Sequence, residues 1–120
     1  MSQIRLRRKV WLEVDGKPLL GSGRVRLLNA IAACGSISAA CQQLGIAYRK
    51  AWAQLQEMEQ LAPFPVLERS KGGKGGGRTT LTAETISMLK QYAEVTERID
   101  RQLDDCGGDR FDVPQPGSAS

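Results

Sequence analysis

The chain has 120 residues, 41% of them apolar and 25% charged, enough for one modest core with a tail and too few for two domains. It contains no histidine, three cysteines without C-x-x-C spacing and no apolar run near the ~20 residues of a membrane span, which disfavours a metal centre, histidine-based catalysis and a spanning helix. The net charge of +4 is unevenly divided: residues 1–82 hold 13 Lys plus Arg against 5 acidic residues, and residues 83–120 hold 4 against 8, so a polyanionic partner is expected for the front only.

The basic start MSQIRLRRK is not followed by an apolar core, so no signal peptide is expected and the protein reads as cytoplasmic. From Arg5 to Val14, Val10, Leu12 and Val14 alternate with Lys9, Trp11 and Glu13, which is strand period. Asp15-Gly16 then signals a hairpin, and Pro18 limits the return strand around Leu19 and Leu20 to a short edge. Trp11 is expected in the core, with an outer-face or dimer contact as the alternative. Ser22 is a candidate cap for a helix over Gly23–Cys34 with Val25, Leu28, Ile31 and Ala32 as its buried stripe and Gly35 as its stop. Arg24 and Arg26 sit near its N-terminus, where they either face an external anion or are simply solvated.

The run Ser36–Met58 organises the rest. Ile37, Ala40, Cys41 and Leu44 recur at i, i+3, i+4 and i+7, and Tyr48, Ala51, Trp52, Leu55 and Met58 repeat that spacing, so two short helices can close on one core. Gly45 between them can adopt positive φ, Ile46 returns a plug to the core and Ala40 permits close approach; this is helix-turn-helix anatomy. The polar face of the second helix carries Arg49, Lys50, Gln54 and Gln56, groups that suit guanine, phosphate and adenine edges in a major groove, with a solvated face as the plain alternative. Ala47 replaces the usual Ser or Thr at the start of this helix, a loss of roughly 1 kcal/mol.

Pro63 and Pro65 break the chain, and Val66–Arg69 reads as a strand. Ser70–Arg78, SKGGKGGGR, has five glycines and three cations, and Thr79-Thr80-Leu81 can return as a second strand. Such a hairpin after a helix-turn-helix forms a wing whose Lys71, Lys74 and Arg78 reach phosphate or minor groove; a flexible linker is the alternative. A phosphate-binding P-loop is disfavoured, because no Gly-Lys is followed by Ser or Thr. Thr82 caps a final helix, with Glu84 in its first turn, whose residues Leu89, Tyr92, Thr96, Ile99 and Leu103 step by 3 and 4. At about 22 residues it would extend roughly 33 Å, more than this small core needs, so the seam Leu89, Tyr92, Ile99 and Leu103 is expected to pair with a second copy; packing back on its own domain is the alternative. From Gly107 the periodicity is lost and disorder is expected. Cys34, Cys41 and Cys106 are expected to be reduced thiols, buried or incidental.

The segments GSISAACQQLGIAYRKAWAQLQEMEQL (Gly35–Leu61) and VLERSKGGKGGGRTTLT (Val66–Thr82) resemble the DNA-binding domain of ModE-type molybdate-responsive regulators, a winged helix-turn-helix related to the LysR type. The resemblance covers about residues 5–105. It implies a dimer that places two recognition helices in successive major grooves with a wing beside each, and it adds the helix-turn-helix start, Ser36 and Ser38, and Tyr48 to the residues facing DNA. The two-domain members carry a second, oxyanion-binding region; no counterpart is expected within these residues, nor any cofactor.

The expected fold is therefore α+β, mainly α: a winged helix-turn-helix over residues 1–82 with an N-terminal β-hairpin, a dimerisation helix over 83–106 and a disordered tail over 107–120. The expected function is sequence-specific binding of an inverted-repeat duplex by a homodimer, in the setting of molybdenum- or oxyanion-related genes. The alternative is a protein-interaction module that uses the same fold for assembly. An enzyme is not expected, since no nucleophile with an adjacent base is recognisable.

Overall fold

Strand period, Asp-Gly turn chemistry and three amphipathic stripes set most of the architecture. The computed structural model describes residues 2–70, 77–114 and 116–117. Its elements are β1 (Ile4–Arg5), β2 (Leu12–Val14), β3 (Lys17–Leu20), α1 (Ser22–Cys34), α2 (Ile37–Leu44), α3 (Tyr48–Leu61), β4 (Leu67–Ser70), β5 (Arg78–Leu81), α4 (Ala83–Asp105) and β6 (Arg110–Phe111). The strands form three antiparallel pairs, β1 with β6, β2 with β3 and β4 with β5, an α+β fold dominated by helix.

In the β2–β3 hairpin Asp15 and Gly16 both take positive φ, 51° and 79°, the geometry whose twist matches that of the flanking strands. Only Leu12–Val14 of the expected Arg5–Val14 strand pairs here, with a register shift between Leu12 and Glu13. Trp11 does not enter the core: it is 48% exposed and donates its indole N–H to Glu13 Oε2 at 2.8 Å. Leu19 and Leu20 supply the hairpin's buried contribution.

Helix α1 begins at Ser22 rather than after it, because the capping position is Gly21 in extended conformation and no side chain caps it. Its buried face is Leu27, Leu28, Ala30 and Ile31, with Val25 half-buried, whereas Ala32 is exposed. Gly35 ends α1 in the left-handed region (φ 75°), where its N–H donates to Ile31 O at 2.8 Å. One residue later Ser36 caps α2, its Oγ accepting from Ala39 N at 2.9 Å. At the other end Gly45 (φ 68°) donates to Gln42 O and Ile46 to Cys41 O, the paired bonds of a Schellman stop that turn Ile46 back onto the core. Ala40 and Ala51 are both at 0% exposure, which lets α2 and α3 close tightly.

The core centres on Leu28, Ile31, Leu55, Met58 and Val66, each almost wholly removed from water and each contributing about 1.5–3 kcal/mol by burial. Glu59 extends α3's influence, its carboxylate accepting from Val66 N at 3.1 Å and Leu67 N at 3.0 Å as the chain turns into β4. Thr82 then caps α4, accepting from Thr85 N at 3.2 Å and donating to Pro65 O at 2.7 Å, while buried Thr85 donates to Val66 O at 2.8 Å. Two buried hydroxyls thus lock the start of α4 to the base of the wing.

Helix α4 has 23 residues, about 34 Å at 1.5 Å per residue, in a molecule 74 Å long. Its first turns pack on the core through Met88, Leu89 and buried Tyr92, whose hydroxyl donates to Val10 O at 2.7 Å. Beyond them an N-terminal strap lies along the helix. Arg8 pairs with Asp100 at 2.6 Å, Leu6 N donates to Asp109 O at 2.6 Å, Arg5 pairs with Asp109 at 3.0 Å, and β1 meets β6. At the end of α4, Gly107 and Gly108 (φ 108° and 83°) close a second Schellman stop and return the chain toward β1. The Arg8 guanidinium, hydrogen-bonded to Asp100, holds that carboxyl below its ordinary range, and Arg5 does the same for Asp109.

Candidate nucleic-acid interface

The exposed side of α3 is defined by what its other side must do. Ala51, Leu55 and Met58 face the core, so positions about half a turn away project outward, and Arg49, Ala53, Gln56 and Gln60 form that line. Lys50 is exposed beside it. Gln54 is half-buried and turns toward Gly21–Arg24 at the start of α1, so it stands at the edge of the face, and Gln56 occupies the position facing outward. Helical phase, applied to Ala51, Leu55 and Met58, is the signal that separates the two glutamines.

Tyr48 also departs from the apolar stripe. It is 50% exposed at the first turn of α3, edge-on to Trp52 with ring centroids 6.1 Å apart. Trp52 is half-buried, and the Arg69 guanidinium of β4 lies over its ring, 4.9 Å from the centroid. No side chain caps α3, since Ala47 has no oxygen to offer. The first N–H groups of the helix therefore point outward beside Tyr48, Arg49 and Lys50.

Around α3 the fold places further polar groups. Ser36 is occupied at the α2 cap, and Ser38 is exposed in the first turn of that helix. Arg78 of β5 lies directly over Gly35: a methyl group on this glycine would stand 2.9 Å from the guanidinium carbon. The strand is fixed there by Thr79 N donating to Gly35 O at 2.9 Å. The return strand of the wing is thus seated on the α1–α2 junction, which brings Arg78 next to the Ser36 cap. Lys71 and Lys74 lie outside the described residues. Arg24, half-buried, is committed internally to Pro18 O, Leu19 O and Glu57, which ties the start of α1 to α3 and removes it from the anion-facing candidates.

Of the terminal-helix seam, Leu89 and Tyr92 are turned onto their own domain, while Ile99 and Leu103 are half-exposed. The open apolar side is displaced toward Ile86 and Val95, 56% and 43% exposed. A groove of about 630 Å³ runs there between β2 and α4, lined by Val10, Leu12, Phe64, Met88, Tyr92 and Val95. No helix among the described residues is long and apolar enough to cross a membrane.

A two-helix unit with its second helix exposed, a two-stranded wing seated on the first, and a core shared by three helices defines a winged helix-turn-helix module. The sequence pattern of the bacterial regulatory helix-turn-helix proteins of the lysR family matches residues 23–85, and the chain belongs to that family. It is similar to the transcriptional regulator ModE of Haemophilus influenzae, with 45% identity over 69 residues covering 58% of this chain and 27% of that protein. The DNA-binding transcriptional dual regulator ModE of Escherichia coli K12 is 38% identical over 81 residues, covering 68% of this chain and 31% of the relative. The molybdenum-pterin-binding protein MopB of Rhodobacter capsulatus is 37% identical over 99 residues, 82% of this chain and 36% of its own. The chain thus spans roughly a third of the length of these curated relatives. The family is one of bacterial regulatory proteins, and the two ModE relatives are named as transcriptional regulators.

Proposed function

We propose that this chain is a transcriptional regulator that reads duplex DNA by laying α3 in the major groove, with the wing against the flanking backbone. The observation that carries this reading is the division of α3: one side closes the core through Ala51, Leu55 and Met58, and the other presents Arg49, Lys50 and Gln56 with Gln54 and Tyr48 at its edges. Arg49 suits guanine O6 and N7, Gln56 or Gln54 an adenine edge, and the Ala53 methyl a thymine methyl. Ser36, Ser38, Arg78 and the uncapped start of α3 serve the phosphates, and a hydroxyl that accepts at a cap can still donate. Lys71 and Lys74, outside the described residues, are assigned to phosphate by their place in the sequence between the two wing strands.

We further propose a homodimer formed along α4. Support comes from the apolar side that one domain leaves uncovered, Ile86, Val95 and Ile99 with Leu103 beyond, rather than from the Leu89–Tyr92 end that the domain uses for itself. Two recognition helices related by a two-fold axis would stand roughly 34 Å apart, so the operator is an inverted repeat. Target genes concerned with molybdenum or a related oxyanion follow from the company the chain keeps, relatives named as ModE and as molybdenum transport or molybdenum-pterin-binding proteins. A duplex reader of this kind works in the bacterial cytoplasm.

The test is capture of sheared genomic DNA by the purified chain, followed by sequencing. An enriched inverted repeat upstream of such genes is the expected result; fragments no different from input DNA would refute the reading.

A further inference from the structure

We infer that Arg69 is a phosphate clamp held in position by Trp52, so that the recognition helix itself aims a cation of the wing. This rests on the duplex-binding reading and adds two residues to it. Trp52 is on α3, one turn after Tyr48, and Arg69 is on β4; the two elements meet where the guanidinium lies 4.9 Å above the indole centroid. Among the described residues Arg69 has no carboxylate partner: the nearby Glu59 spends its oxygens on Val66 N and Leu67 N. A cation stacked on a ring keeps its N–H edges free, and stacking restricts the long side chain before any ligand arrives. Tyr48 packs edge-on against the same indole, with ring centroids 6.1 Å apart.

Arg69 is attached to α3 twice, by its own stack on Trp52 and by the Glu59 bonds at the base of its strand. It moves with the recognition helix and sets the register of that helix against one phosphate. Its role is positioning and is independent of base sequence.

The experiment is a double-substitution cycle on the full chain, Arg69→Gln, Trp52→Leu and both together. Affinity for a preferred and a scrambled duplex is measured over a salt series, with thermal melts to establish folding. Arg69→Gln should weaken binding to both duplexes by about tenfold or more and flatten the slope of log affinity on log salt by about 0.9, the loss of one phosphate contact. Trp52→Leu should cost about two- to fivefold where Arg69 is present, the ratio a cation–π contact at an exposed site is worth, and nothing further in the Arg69→Gln background. Trp52→Phe, which keeps a ring beneath the guanidinium, should retain most of the affinity and covers the case in which the leucine variant does not fold. An unchanged salt slope for Arg69→Gln, or equal losses from Trp52 substitution with and without Arg69, would overturn the clamp. A wild-type chain that binds neither duplex would instead overturn the parent reading.

Discussion

Two glycines in the same backbone conformation have different neighbours. Gly35 and Gly45 end consecutive helices with φ near 70°, and a side chain at either costs about 1–2 kcal/mol from the left-handed conformation alone. Gly45 faces open space, whereas a methyl at Gly35 would meet the Arg78 guanidinium at 2.9 Å. That guanidinium is the free end of a flexible side chain, so it can swing away at little cost to folding. Gly45→Ala and Gly35→Ala should therefore lose similar stability in urea titrations, while Gly35→Ala alone also weakens DNA binding and lowers the salt slope as Arg78→Ala does. Equal DNA affinity for the two alanine variants would remove Arg78 from the interface. At this scale the sequence is legible where one residue decides one thing: Thr82 is a cap and Gly35 and Gly45 are stops, as their chemistry requires, whereas Ser22, read as a cap, is the first residue of its helix with Gly21 at the capping position. It is illegible where an amphipathic side chain has a choice, so Trp11 and Tyr48 stay exposed, whereas helical phase does distinguish outward Gln56 from Gln54 at the edge.

The elements with strong period were readable, and those held by distant partners were not. Helices α1 to α4 and the two long hairpins follow from stripes and turns, but nothing local marks residues 4–8 as a strap on α4. Its ties, Arg5 to Asp109 and Arg8 to Asp100, join residues 104 and 92 positions apart, and β1 and β6 are two residues each, too short for any pattern. The strap makes a prediction of its own. Asp100 and Asp109 have carboxyls held below their ordinary value by these arginines. A group lowered in the folded state stabilises above its unfolded value and loses that contribution as pH falls through the lowered one. The strap should thus be attached at neutral pH and released in acid, below the ordinary aspartate range. The effect on global stability is small, since both pairs are exposed and screened by salt. NMR of the Leu6 amide, which donates to Asp109 O, should report the release, and Asp100→Asn with Asp109→Asn should give the acid spectrum at pH 7. A Leu6 resonance identical in the double variant at neutral pH would mean that the ion pairs do not hold the strap.

At the scale of the whole molecule, the charge division of the sequence is only partly spatial: the helix-turn-helix head keeps Arg49, Lys50, Arg69 and Arg78, whereas Arg5 and Arg8 of the basic front lie against Asp109 and Asp100 at the far end of the acidic helix. The proposed dimer would join the acidic helices and leave both heads for DNA, so association and binding use separate surfaces. Val95→Asp with Ile99→Asp should yield a folded monomer in sedimentation that binds a half-site weakly, because joining two half-site binders can raise affinity by ~100-fold or more. A double variant that still sediments as a dimer would place the contact elsewhere. The central claim, that the outward face of α3 reads bases, is tested most directly by the affinity of Arg49→Ala for the selected inverted repeat and for scrambled DNA at one salt concentration. The expected loss is about 1–3 kcal/mol on the selected site and much less on the scrambled one. Equal losses on both would make Arg49 a phosphate contact and contradict that claim.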